Sequence, residues 1–231
     1  MCGIFGFVAK SNPIDLSVLE RIARQTETRG RHAFGFAWVD QRGRLKMFKS
    51  QGRITDHLSL LRMAEGARML IGHCRFATHG KPSNNLNNHP HPVDGGWLVH
   101  NGVIGAYREI IRENHLRPVT HCDSEVLGLL VERAADGSLF DRVCEAAETC
   151  ADRDLAMAAL WRDPRELILV RAGNPVHVAD VSGGYWFASL KKGLPDGAYM
   201  LRNNTAVSFT HDNEGKATLR AVELSPQTQG V

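Results

Sequence analysis

Cys2 directly follows the initiator Met1, and Gly3 follows Cys2. A small second residue favours removal of the initiator methionine, which leaves a free α-amine on Cys2. That amine has an ordinary pKa of about 8 and the thiol one of about 8.5. One residue then carries both a nucleophile and a base, the pairing that covalent catalysis asks for. Gly3 beside it permits a close approach. The plainer reading of Cys2 is a small buried hydrophobe at the start of a strand. A thiolate attacking an amide or ester needs donors for the oxyanion. His100-Asn101-Gly102 offers a carboxamide N–H₂ and an unobstructed backbone N–H, although Asn-Gly also reads as a turn. Arg75 has the planar fork that matches a carboxylate, with a surface ion pair as its alternative. Asp123 suits an ammonium group and equally suits a helix cap.

Other reactive side chains argue for less. His73, His79, His89, His91 and His100 are close in sequence, but His89-Pro90-His91 has no ligand spacing on a regular element. Neither H-E-x-x-H nor an acidic cluster accompanies them, so no metal and no cofactor are expected, and neutral histidines bonded to loop backbone describe them better. The five cysteines (Cys2, Cys74, Cys122, Cys144, Cys150) are irregularly placed with no C-x-x-C. That excludes a disulfide framework and fits a reducing, cytoplasmic setting.

The elements that position these residues belong to an ordinary globular chain of 231 residues, 43% apolar and 23% charged. This is one sizeable core rather than two full domains. Lys and Arg number 28 against 25 Asp and Glu, scattered along the chain, so nucleic acid is not an expected partner. No apolar run is long enough to span a membrane, and the start lacks a signal-peptide pattern. Gly3–Val8 reads as a buried strand. Asp15 caps a helix with Leu16, Leu19, Ile22 and Ala23 on one face. Phe34–Val39 and Leu45–Lys49 form a hairpin about Gln41-Arg42-Gly43. Leu58–Met63 reads as a short helix and Met69–Gly72 as a core strand. His73–Pro92 reads as a long functional loop. Trp97–His100 is a strand. Helices follow at Ile104–Arg112, Ser124–Ala135 (capped by Asp123 or Ser124) and Leu139–Cys150. From Leu155 the chain turns to strands, at 155–160, 166–171, 176–179, 185–188, 199–201, 205–208 and 218–223. The order fits a layered α+β domain and argues against a dinucleotide fold.

Several motifs in order carry a family resemblance. They are Met1-Cys-Gly-Ile-Phe-Gly6, Thr28-Arg-Gly30, Phe34-Gly-Phe-Ala37, Cys74-Arg-Phe-Ala-Thr-His-Gly-Lys-Pro-Ser83, Asn88-His-Pro-His91, His100-Asn-Gly-Val-Ile104 and Cys122-Asp-Ser-Glu-Val126. Together they resemble the class II glutamine amidotransferase domain, the N-terminal-nucleophile glutaminase module, and most of all the glutaminase half of glucosamine-6-phosphate synthase. The resemblance runs to about residue 210, including Gly184-Tyr-Trp-Phe-Ala-Ser189. It implies a four-layer αββα sandwich of two antiparallel sheets, with one domain over 2–225 and a flexible tail over 226–231.

It also implies roles. Cys2 is the nucleophile, with its own α-amine as base, and Asn101 and Gly102 form the oxyanion hole. Arg75 holds the glutamine α-carboxylate with help around Thr78 and His79, and Asp123 holds the α-ammonium. Arg29 and Gly30 belong to the loop that orders the N-terminus. The implied reaction passes through a glutamyl thioester to glutamate and ammonia. Phe76 stands where the family usually has Trp, which keeps an aromatic wall. The chain ends where the family usually continues into an ammonia-using domain, so the expected partner is a separate synthase subunit that accepts ammonia. An excised domain or simple glutamine hydrolase, a free-standing hydrolase of a γ-glutamyl or related amide, and a non-catalytic scaffold are the competing readings.

Overall fold

The computed structural model describes residues 1–134, 136–150, 154–211 and 217–224. The expected domain limit at 225 and the tail 226–231 lie outside the described residues. The described strands form two antiparallel sheets. One runs, from edge to edge, β11 (Tyr199–Met200), β9 (His177–Val181), β10 (Gly184–Ala188), β1 (Gly3–Ala9), β4 (Met69–Arg75), β2 (Ala33–Val39) and β3 (Leu45–Gln51). The other runs β13 (Ala217–Glu223), β12 (Thr205–His211), β8 (Arg165–Ala172), β7 (Leu155–Arg162), β6 (Gly96–Asn101) and β5 (His91–Val93).

Both central strands are buried along nearly their whole length, and their side chains divide by parity. In β1, Phe5, Phe7 and Ala9 join a cluster with Leu19, Ile22 and Ala23 of helix α1 (Leu16–Glu27). Ile4 and Val8 point the other way, into a layer shared with the second sheet. In β7, Ala156, Ala158 and Leu160 enter that same layer. Leu155, Met157, Ala159 and Trp161 instead meet helices α3 (Glu125–Arg133) and α4 (Leu139–Cys150). The result is helix, sheet, sheet, helix, in line with the sandwich implied by the motifs. With both faces of each sheet covered, central strands need apolar side chains on both sides. This explains continuous apolar runs in an antiparallel fold.

Helix α1 starts where Asp15 Oδ1 accepts from the Ser17 and Val18 backbone N–H groups, as the sequence suggested. Other expectations are corrected. The 54–64 segment is a pair of 3-10 turns broken at His57, not a regular helix over Leu58–Met63. Helix α2 (Tyr107–Glu113) begins three residues later than Ile104. Neither Asp123 nor Ser124 caps α3 with its side chain. The stretch 73–92 is only partly loop. Its first three residues complete β4, Asn85–Asn87 forms a 3-10 turn and His91 opens β5. Polar composition hid this strand end, because His73 and Arg75 are buried at 0% and 2% exposure despite their polarity.

Candidate active site

The reactive residues gather where the inner layer stops being apolar. Met69 and Ile71 of β4 face that layer, and the alternation continues through His73 to Arg75. Val99 of β6 faces it too, and Asn101 follows on the same side. Ile4 does so in β1, and Cys2 precedes it by two residues. Pairing of Gly3 with Cys74 sets the start of β1 beside the end of β4. Across the sandwich, His73 Nε2 lies 2.9 Å from the His100 carbonyl oxygen. Three strand ends are thereby brought together.

Around Cys2 the work is done by backbone and a glycine. The Phe76 N–H donates to Cys2 Sγ at 3.2 Å, and the thiol lies 3.4 Å from the Phe76 carbonyl. Arg29 Nε donates to the Cys2 carbonyl at 2.6 Å, which anchors the chain start. A Cβ on Gly30 would lie 2.4 Å from the Arg75 carbonyl carbon and 2.6 Å from Phe76 N, so only glycine lets this loop pack against the backbone that follows β4. Burial pushes the Cys2 thiol up, against the pull of the Phe76 N–H, the Arg75 guanidinium and the chain-terminal amine; the net direction is upward. That terminal amine belongs to Met1, which is 72% exposed.

Arg75 is not a surface ion pair. Its Nη1 donates to Asn88 Oδ1 at 2.7 Å, and Nη2 donates to the carbonyls of His79 and of Gly80, the latter at 2.9 Å. Three of the guanidinium's five donors hold the 79–88 segment, which leaves two for a ligand. Asp123 is equally buried. Its Oδ2 accepts from Ile104 N–H at 2.8 Å, while Oδ1 lies 3.8 Å from His79 Nδ1. Ser124, freed from capping, pairs its hydroxyl with His100 Nδ1 at 2.9 Å. Asn101 is fully buried, and neither atom of its carboxamide has a hydrogen-bond partner. A Cβ on Gly102 would meet the Asp154 carbonyl oxygen at 2.2 Å. Thr78 is exposed and lines an open cleft of about 670 Å³ with Gly80, Lys81, Asn84, Asn87 and His121.

Several supporting residues carried no signal of their own in the sequence. Lys49 Nζ donates to the carbonyls of Asn88 and Pro90 at 2.7 and 2.9 Å, and burial lowers its pKa to about 8. Asn87 Oδ1 accepts from His121 N–H at 2.9 Å, and Glu125 accepts from the Val119 and Thr120 N–H groups at 2.9 and 2.8 Å. These contacts fasten the loop before Asp123. A lysine at a strand edge or a lone asparagine in a polar loop gives no pattern, and only the quoted motifs Asn88-His-Pro-His91 and Cys122-Asp-Ser-Glu-Val126 pointed to these segments. His73 is held neutral, its pKa lowered to about 3 by burial and the Arg75 guanidinium. Burial also lowers His89, His91 and His100. The fold brings His89 and His91 beside Cys122, a juxtaposition that their sequence spacing did not suggest.

No family model matches the chain. Among curated proteins, the isomerizing glutamine–fructose-6-phosphate aminotransferase of Aquifex aeolicus is 32% identical over 197 residues, covering 82% of this chain and 32% of that protein. The same enzyme of Clostridium perfringens is 33% identical over 242 residues, covering 100% of this chain and 38% of that protein. The chain thus spans about a third of the length of these relatives. Two solved structures share the fold. The glutamine phosphoribosylpyrophosphate amidotransferase of B. subtilis superposes with a TM-score of 0.75 at 21% identity, over 98% of this chain and 50% of that one. A glutamine aminotransferase class-II domain protein from Silicibacter pomeroyi does so with a TM-score of 0.61 at 17% identity, over 97% of this chain and 100% of that one. The ordered motifs, the double sheet they end in and these relatives agree: the chain belongs to the class II, N-terminal-nucleophile glutamine amidotransferases, as a domain related to the glutaminase part of glutamine–fructose-6-phosphate aminotransferase.

Proposed function

We propose that this domain hydrolyses the side-chain amide of L-glutamine through a thioester on Cys2. The observation that carries the reading is the meeting of Cys2, Arg75 and the unpartnered Asn101 carboxamide at one end of the inter-sheet layer. Once Met1 is removed, the Cys2 α-amine takes the thiol proton and Sγ attacks the amide carbon. Asn101 Nδ2 and the Gly102 N–H hold the oxyanion. The intermediate collapses with the proton passed to the leaving nitrogen, and ammonia departs. Water then attacks the thioester, the amine takes its proton, and glutamate leaves as the thiol is restored. A remaining Arg75 donor takes the α-carboxylate, with Thr78 and His79 alongside. Asp123 Oδ1 takes the α-ammonium. Each end of the substrate meets a buried polar group that an analogue lacking that end would leave unpaired.

Ammonia passes to a separate synthase partner in this reading. Phe76, Leu86, Val103 and Val119 are 45%, 58%, 47% and 78% exposed, and each lies within four residues of a proposed site residue or of Asn88, which holds Arg75. Exposed large apolar side chains close in sequence to the site residues suit a docked protein. Five free thiols suit a reducing cytoplasm, and among the described residues no helix is long and apolar enough to cross a membrane. A second reading, hydrolysis of a larger γ-glutamyl amide, draws on the open cleft beside Thr78.

The test is glutamate and ammonia release from L-glutamine by the full chain, shown by mass to lack Met1, beside Cys2→Ala. Turnover that disappears in the variant supports the reading. Equal turnover in Cys2→Ala sinks it. Turnover on a γ-glutamyl amide but not on glutamine transfers the assignment to the second reading.

A further inference from the structure

We propose that His89, His91 and Cys122 form a buried binding site for one thiophilic transition-metal ion of the zinc class. Their ligand atoms all lie within 4.8 Å of one another. The three residues are 2%, 1% and 5% exposed. Both ring nitrogens of both histidines lack a protein hydrogen-bond partner, and the two rings meet edge-on with centroids 4.5 Å apart. Buried polar atoms are almost always paired, and each one left alone costs about 1–3 kcal/mol. One nitrogen from each ring together with the Cys122 thiol is a donor set that an ion would satisfy at once.

The chemistry of the donors selects the ion. Two imidazoles and a thiolate suit zinc, cobalt or copper, whereas magnesium and calcium require oxygen ligands. Zinc–nitrogen and zinc–sulfur bonds of about 2.1 and 2.3 Å place tetrahedral ligand atoms about 3.5 Å apart. The cluster is therefore open by about 1 Å, a gap closed by small side-chain rotations. Binding replaces the Cys122 thiol proton with a metal–sulfur bond and releases that proton to solvent. The Lys49 ammonium and the Arg75 guanidinium are the nearby cations, and the thiolate offsets one charge of a divalent ion beside them. The ion would link two otherwise separate segments. His89 follows Asn88, which holds Arg75, and Cys122 precedes Asp123. It would thus brace the groups assigned to opposite ends of glutamine; that consequence alone rests on the proposed function.

The site is tested without any activity readout, so its failure is separate from failure of the glutaminase reading. The full chain is refolded with cobalt(II), and its absorption and melting temperature are measured beside those of Cys122→Ser, Cys122→Ala, His91→Gln and Cys2→Ala. One bound cobalt is expected, with tetrahedral visible bands and a thiolate charge-transfer band. The charge-transfer band should vanish in both Cys122 variants, binding should weaken at least tenfold in His91→Gln, and Cys2→Ala should match the parent. Zinc should raise the melting temperature of the parent and of Cys2→Ala by several degrees, and that of folded Cys122→Ala not at all. Absence of bound cobalt, a band that survives in the Cys122 variants, or a band lost only in Cys2→Ala would overturn the proposal.

Discussion

The inter-sheet layer has two ends built to opposite rules. At one end, Val39, Met69, Leu160, Leu167 and Phe209 pack apolar surface against apolar surface. At the other, the same layer is lined by Cys2 just before β1, His73 and Arg75 of β4 and Asn101 of β6, and several buried polar atoms stand without partners. The parity of the strands does not change between them; only the residue chemistry does. The apolar end gains stability from burial, about 25 cal/mol per Å² of apolar surface. The polar end gives some of that up to hold ionisable groups dry and aimed. Functional sites commonly break local consistency in this way, and stability elsewhere supports them.

The contrast can be broken from either end. Leu160→Ala removes a fully buried side chain from the apolar end. It should cost about 2–5 kcal/mol in denaturant unfolding, with kcat/KM for glutamine unchanged below the melting range. A matching loss of kcat/KM would mean that the two ends are not separable. Asp123→Asn reverses the pattern. The amide can still accept from Ile104 N–H, so the melting temperature should move little. Losing the charge should lower kcat/KM on the order of 10²-fold, chiefly through KM. If kcat/KM stays within twofold of the parent, Asp123 does not read the substrate ammonium.

Gly30→Ala probes the packing beneath the polar end. Its Cβ would lie 2.4 Å from the Arg75 carbonyl carbon, with backbone on the far side and no flexible chain tip to yield. The overpacking should cost about 1–3 kcal/mol in unfolding free energy and lower kcat as well, because the strain falls beside Cys2. A variant with parent stability and parent kcat would show that this loop yields freely.

A separate effect is in pH. Burial and the Arg75 guanidinium hold His73 down to about 3 when folded, against about 6.5 when unfolded. The unfolded chain then takes up a proton that the folded protein refuses. This contribution is full above about pH 6.5 and is lost as pH falls from there toward about 3. In His73→Gln the acid-side slope of stability against pH should shrink by at most about 1.4 kcal/mol per unit. An unchanged slope would show that His73 protonates without unfolding.

Much of this was legible in advance. Apolar runs over Gly3–Val8 and 155–160 marked strands, and Asp15 marked the start of a helix, because side-chain type and helix caps are short-range signals. The ordered motifs identified the family and proposed the site residues. Isolated residue types were less informative. Asp123 suited a helix cap on local grounds, yet its Oδ2 accepts from Ile104 N–H, nineteen residues away in sequence. Arg75 suited the surface until the strand end that buries it was known.

The sequence by itself determined most of the strand and helix segments and which chemistry they carry, since both follow from side-chain type and period. Only the tertiary structure decided that three strand ends meet across two sheets, that Lys49 fastens the 88–90 segment, and that His89 and His91 face Cys122. Those contacts join residues far apart in the chain, and they are set by the packing of whole layers. No local pattern encodes them, because the free energy that enforces them belongs to the core rather than to the residues in contact.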